Sequence, residues 1–161
     1  MTPAAFFNTI LLPSSTALSA IYGVSNTKAA RVFLMAVAGH ETNWSARRQV
    51  PGGEARGYWQ FEKNGGVAAV VLDPLTSAVL EPFCKSRDIP FDVETVYEAI
   101  AWHDTLAYVV ARLFTWMDPR PIPVVGDSAG SYQYYLDIWR PGARLPGSWP
   151  AIYQQALAVT T

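Results

Sequence analysis

The feature that most limits the fold of this chain is an apolar run, VETVYEAIAWHDTLAYVVARLFTWM, residues 93–117. Asp92 precedes it as a capping residue and Pro119 follows it as a stop. The spacing predicts one long helix over about 93–117. Apolar side chains lie nearly all round such a helix, so other elements have to cover it on every side. It therefore belongs at the centre, with the rest of the chain wrapped around it. With 161 residues the chain suits one domain, 1–161, built on one core.

The remaining punctuation predicts further helices. Residues 4–12 read as a short helix ended by Pro13, and 15–22 as a second. Ser25 or Asn26 caps the next, in which Ala30, Phe33, Leu34, Val37 and Ala38 keep the 3.6-residue period as far as Glu41. Residues 42–66 read as loop and turn, marked by Pro51, Gly52-Gly53 and Gly65-Gly66, with GYWQF either extended or a helical turn. Residues 67–81 read as helix with a break at Asp73-Pro74, and Pro82 to Pro90 as a connector. A helix over 127–140 carries Tyr132, Tyr135, Leu136 and Trp139 on one face, and Ser148 caps a last helix to about 159. No segment alternates convincingly as a strand, so the class is mainly α.

Composition excludes several functions. Half the residues are hydrophobic, 13% aromatic and 16% charged, and the net charge is −1. This is a packed chain with no basic excess to suggest nucleic acid or an anionic membrane as partner. The single cysteine, Cys84, allows no internal disulfide and has no neighbouring histidine, so it reads as a structural thiol. Two histidines and one cysteine give no metal-binding spacing, and GEARG and NGGV lack the lysine and hydroxyl of a phosphate loop. No metal or cofactor is expected. The first 23 residues are apolar but lack a basic start, so they do not read as a signal peptide. No uninterrupted apolar run reaches the ~18 residues of a membrane span, and stable membrane insertion is not expected.

Glu41 raises the chemical question. It lies seven residues after Leu34 and four after Val37, so it continues an apolar stripe. Desolvation and the negative end of the helix dipole would both favour its protonated form, as a general acid requires. A helix-terminal glutamate turned into solvent is the alternative. Asn43 and Trp44 follow at once, and a turn-rich loop brings back Arg56-Gly57-Tyr58-Trp59-Gln60-Phe61. Gly57 permits close backbone approach. Gln60 offers a donor and an acceptor, and Tyr58 and Trp59 offer planar faces suited to sugar CH surfaces. Core packing explains the aromatic content equally well.

The pattern resembles the lysozyme-like lytic transglycosylases and goose-type lysozymes. Their signature is an apolar helix ending in a glutamate with nearby polar and aromatic residues, a short loop, then A-x-G-L-M-Q. The matching residues here are Glu41-Thr42-Asn43-Trp44, Ala46 and Ala55-Arg56-Gly57-Tyr58-Trp59-Gln60, within a stretch of roughly residues 34–62. Tyr58-Trp59 replaces the usual Leu-Met, and no A-x-Y-N-A-G motif is present, though SYQYYLDIWRPG holds a comparable place with Tyr134 or Tyr135 as its tyrosine. The segments GHETNW, RGYWQFE and WRPG also look like those of small phage-encoded muralytic proteins.

The resemblance implies a lysozyme-like helical domain with a substrate cleft. It implies cleavage of peptidoglycan between N-acetylmuramic acid and N-acetylglucosamine, with Glu41 as acid and Gln60 in the cleft. A transglycosylase would use Glu41 alone as acid and base. A hydrolase would need a second carboxylate, for which Glu62 and Glu54 are the nearest candidates. A domain without chemistry, binding glycan or serving as a virion part, is the third reading. With no signal peptide read at the start, synthesis in a host cytoplasm is expected, and the action at the periplasm or cell wall that the resemblance implies would be reached from the virion or through a separately encoded pore.

Three other residues carry expectations. Asp104 lies on an apolar face and should have a partner, an arginine or a backbone amide. His40 points about 100° from Glu41 on an ideal helix, so the two do not read as a catalytic dyad. Trp139 reads as core, and Arg140 as paired with a carboxylate or stacked on a ring.

Overall fold

Helices joined by short loops make up the structure, a computed structural model that describes residues 1–49, 51–142 and 145–160. In chain order they are α1 (Pro3–Tyr22), α2 (Lys28–Thr42), α3 (Lys63–Leu72), α4 (Pro74–Lys85), α5 (Val93–Ala99), α6 (Asp104–Trp116), α7 (Ser128–Trp139) and α8 (Trp149–Val159). The described residues are 64% helix with no strand, in a single compact domain, as a mainly α chain requires.

The central helix is α6, the second half of the expected 93–117 element. Leu106 to Ala111 and Leu113 are all buried to 1% exposure or less. It touches α1, α2, α3 and α4. The expected single helix is broken at Ile100–His103. His103 is in an extended conformation and its ring Nδ1 accepts the Leu106 N–H at 3.1 Å, so it caps a new helix. Asp104 then sits in that helix's first turn, where the dipole favours an acid.

Two proline positions were expected to end helices and do not. Helix α1 runs through Pro13 because Phe7–Leu11 forms a π-turn just before it. The wider turn moves the carbonyls that a proline ring would strike. The resulting helix of 20 residues has a mean hydropathy of 1.4, which meets the length and apolarity of a membrane span, unlike either of the two short helices expected. Here Phe6, Phe7, Ile10, Leu11 and Leu18 face the core. Helix α4 likewise passes Pro82 and reaches Lys85. Pro82 is exposed, so the carbonyl that loses its partner is on the solvent side. The break at Asp73-Pro74 does occur, and α3 and α4 meet at 91° with Asp73 capping α4.

Helix α2 positions the site. Thr27, not Ser25 or Asn26, caps it through Oγ1 and the Ala30 N–H at 3.1 Å. Its apolar residues Val32 to Ala38 are all buried. It ends because Asn43 and Trp44 both take positive φ, 49° and 53°. The chain then doubles back over the helix. The indole of Trp44 donates to the Met35 carbonyl at 3.0 Å, and that of Trp59 donates to the Leu34 carbonyl at 2.9 Å. GYWQF is a tight turn, closed by reciprocal backbone bonds between Arg56 and Phe61, both 2.9 Å. Gly57, with φ 71°, lets this turn pass within contact of the Ile100 carbonyl, where a Cβ would lie at 3.1 Å. Helix α2 packs most extensively on α8.

Candidate active site

The last turn of α2 opens into a cleft of about 810 Å³. One wall is Gly39 to Asn43, continued by Ala46, Arg48, Gln49 and Ala55 of the following loop. The returning turn supplies Gln60, Phe61 and Glu62. The opposite wall is Tyr135, Trp139 and Arg140 at the end of α7, with Pro141 and Gly142, and Ser148 and Ile152 complete it.

Glu41 is half-buried in this cleft. The Tyr135 hydroxyl donates to Glu41 Oε1 at 2.6 Å. Among the described residues Glu41 has no ion pair. Burial raises its pKa above the ordinary carboxylate range, and the Tyr135 bond opposes that shift in part. The reading of a glutamate turned into bulk water is therefore not the one adopted. Tyr135 is held firmly, stacked on Trp149 at 5.4 Å and 19°. Its phenol is pushed far above its usual range, first by burial and then by the Glu41 charge.

His40 is a cleft residue as well, although the helix geometry turns it away from Glu41. Its ring lies edge-on to Tyr135 at 5.3 Å and to Trp149 at 5.4 Å. Burial lowers its pKa from 6.5, so the imidazole is neutral near pH 7. The Ser148 hydroxyl lies 3.3 Å from His40 Nδ1 and makes no cap bond to α8, contrary to the cap expected of it.

Of the residues singled out from sequence, Glu41, Asn43, Gln60, Glu62 and Tyr135 meet in the cleft. Gln60 donates its side-chain N–H to the Gly57 carbonyl at 2.8 Å, which orients its amide. Four residue assignments need correction. Tyr58 and Trp59 are 2% and 1% exposed, so their faces are not available to a sugar. They pack against Phe6 and each other because the turn folds them under α2. Tyr134 is buried on the other side of α7, edge-on to Phe33 at 5.2 Å. Glu54 is exposed outside the cleft lining, its backbone carbonyl accepting the Tyr97 hydroxyl.

Beside Phe114, the aromatic surface that the cleft does present includes Trp139, expected to be core. It is half-buried, stacks on Phe61 at 5.2 Å and 28°, and donates its indole N–H to the Trp59 carbonyl at 3.0 Å. The signal was present in WRPG: a helix stopped by Pro141-Gly142 leaves its last turn at a rim. Arg140 neither pairs with a carboxylate among the described residues nor stacks on a ring. Its Nε donates to the Asp137 carbonyl at 3.3 Å. Asp104 does have the arginine partner expected, Arg47, in a fork of 2.7 and 2.8 Å. The pair is more open to water than an apolar helix face implied, with side chains 44% and 27% exposed.

No group of three or more His, Cys, Asp or Glu among the described residues could hold a metal ion. No family model, curated protein or solved structure matches the chain.

Proposed function

We propose that this chain cleaves a glycosidic bond of peptidoglycan, between N-acetylmuramic acid and N-acetylglucosamine, with Glu41 as general acid. The observation that carries the reading is the Glu41 carboxyl: half out of water, without an ion pair among the described residues, held by Tyr135 in the wall of a cleft large enough for sugar rings. A glycosidic oxygen is a poor leaving group until protonated, and a carboxyl with a raised pKa supplies that proton near neutral pH.

Tyr135 donates to Oε1, which leaves Oε2 to carry the acid proton. That proton passes to the bridging oxygen as the bond to C1 of the muramyl sugar breaks and an oxocarbenium-like centre forms. The Tyr135 hydroxyl then stabilises the carboxylate that remains. In lytic transglycosylation the muramyl 6-hydroxyl attacks C1 and returns its proton to Glu41, giving a 1,6-anhydro sugar. One carboxylate suffices for this sequence. Trp139 offers a flat apolar face to a sugar ring, and Gln60 and Asn43 offer amides.

A hydrolytic reading has one observation in its favour. Glu62 lines the same cleft and is exposed, so a water-activating carboxylate is at hand. Glu54 has no such position. The chain is proposed to act on the cell wall, in the context of phage entry or release.

Purified murein digested by wild type and by Glu41→Gln tests both points. Loss of muropeptide release in the variant is expected. An anhydro end on the products means transglycosylation, and a reducing end that vanishes in Glu62→Gln means hydrolysis. Absence of any release by folded wild-type protein would overturn the enzymatic reading and leave a glycan-binding or virion role.

A further inference from the structure

At the opposite end of α2 from Glu41, the first turn of α2 meets the last turn of α6. A hollow of about 370 Å³ opens there. Arg112 of α6 borders it and is 5% exposed. The guanidinium is bonded only to neutral oxygens: Nη1 to Thr115 Oγ1 at 3.2 Å, and Nη2 to the Ser25 carbonyl and Oγ, both 3.1 Å. Its Nε is buried without a partner. Among the described residues it makes no ion pair. A buried cation without a counter-charge is costly, and ordinarily one is supplied.

The one carboxylate on the hollow, Asp118, is already taken. Arg120 holds it in a fork, Nε to Oδ1 and Nη2 to Oδ2, both 3.0 Å. Arg120 also reaches Asp137 at 2.9 Å. Arg120 and Asp118 thus cancel within the hollow and leave the Arg112 charge unanswered. The other polar groups suit an anion. The hydroxyls of Ser25 and Thr27 border the hollow and accept bonds from Arg112 and the Ala30 N–H respectively, so each has its own hydrogen left to donate. The hollow lies at the positive end of α2, a helix of 15 residues.

We infer that this hollow is a binding site for a phosphate group, held by Arg112 with the Ser25 and Thr27 hydroxyls at the start of α2. The phosphate answers the buried Arg112 charge, and the two hydroxyls and the helix start complete its coordination. The site is separate from the cleft and does not depend on the glycosidic reading.

The test is calorimetric titration of the full chain with inorganic phosphate at fixed ionic strength, with chloride as background. A second arm uses glycerol phosphate, to tell free phosphate from a phosphate carried on an organic chain. Saturable binding is expected in at least one arm, with affinity at least tenfold weaker in Arg112→Gln. Ser25→Ala and Thr27→Gly, at exposed positions, keep the test sharp if the Arg112 variant does not fold. Either should weaken binding several-fold while Ser45→Ala, on the opposite end of α2, does not. Absence of saturable binding of both compounds to wild type overturns the proposal. So does binding that is equally tight in the Arg112, Ser25 and Thr27 variants.

Discussion

Gly39→Ala is the sharpest test of how the acid is held. Gly39 lies two residues before Glu41, where α2 crosses α8 under the Trp44 ring. A Cβ added there would lie 2.3 Å from Trp44 Cζ2, 2.6 Å from Cε2 and 2.8 Å from Ile152 Cγ2. Carbon atoms pack best at about 3.5–4.0 Å, so the ring would have to retreat by more than ~1 Å. It has nowhere to go, being 1% exposed with its indole bonded to the Met35 carbonyl. Overpacking of this kind costs ~1–3 kcal/mol, and the upper end applies where a rigid ring is the obstacle. Loss of the indole bond adds about 1 kcal/mol. The better helix propensity of alanine returns about 1 kcal/mol. The net loss is ~2–3 kcal/mol, or roughly 4–12 °C in Tm for a chain of this size. Thermal denaturation followed by circular dichroism measures it, with Gly147→Ala as control because a Cβ there meets nothing within 4 Å. A Gly39→Ala variant as stable as wild type would refute the tight crossing and the placement of Glu41 that follows from it.

Three further outcomes are expected. The raised pKa of Glu41 means that the folded state holds this proton more tightly than the unfolded chain, so its contribution is fully present below the unfolded carboxyl pKa and is lost as pH rises through the folded one. Glu41→Gln should therefore gain stability on wild type as pH rises above about 4, and a urea midpoint difference that shrinks as pH rises from there would contradict the buried carboxyl. Tyr135→Phe removes the bond that favours the Glu41 anion, so the alkaline limb of the pH–activity profile should move to higher pH; an unmoved or lowered limb counts against Tyr135 as the partner of the acid. Trp139→Ala should raise KM for murein fragments more than it lowers kcat, whereas Tyr58→Phe should leave KM unchanged, and the reverse ordering would return the sugar-facing role to the buried turn.

Much of α2 was legible because its signals are local. The period of Ala30, Phe33, Leu34, Val37 and Ala38 marks the buried face, and Glu41 falls where that face reaches a loop. What was not legible depends on partners distant in sequence. Nothing within HDTLAY reveals that His103 bonds its own helix start and splits the central helix. Local propensity condemns Pro13, yet a π-turn that ends two residues earlier, at Leu11, accommodates it. Tyr134 and Tyr135 are adjacent, and only the packing of α7 against Phe33 and Trp149 decides which one faces the acid.

The aromatic turn shows how residues buried beneath a cleft can still set its shape. Tyr58 and Trp59 have planar faces that would suit a sugar, but both are buried. The Trp44 and Trp59 indoles bond to the carbonyls of Met35 and Leu34, neighbours in the middle of α2. Two points of attachment from the two ends of one loop fix that loop on the helix that carries the acid. The Tyr58 carbonyl adds a third by accepting the Thr42 hydroxyl at 3.2 Å, next to Glu41 itself. The Trp59 carbonyl then receives the indole of Trp139 and so sets the opposite wall. The distance between Glu41 and the Trp139 face of the cleft is thus governed by indoles whose N–H groups are all engaged. Replacing Trp59 by phenylalanine would preserve most of the apolar volume but free the Leu34 bond, so activity should fall further than the roughly 1 kcal/mol of lost hydrogen bonding would require from stability alone.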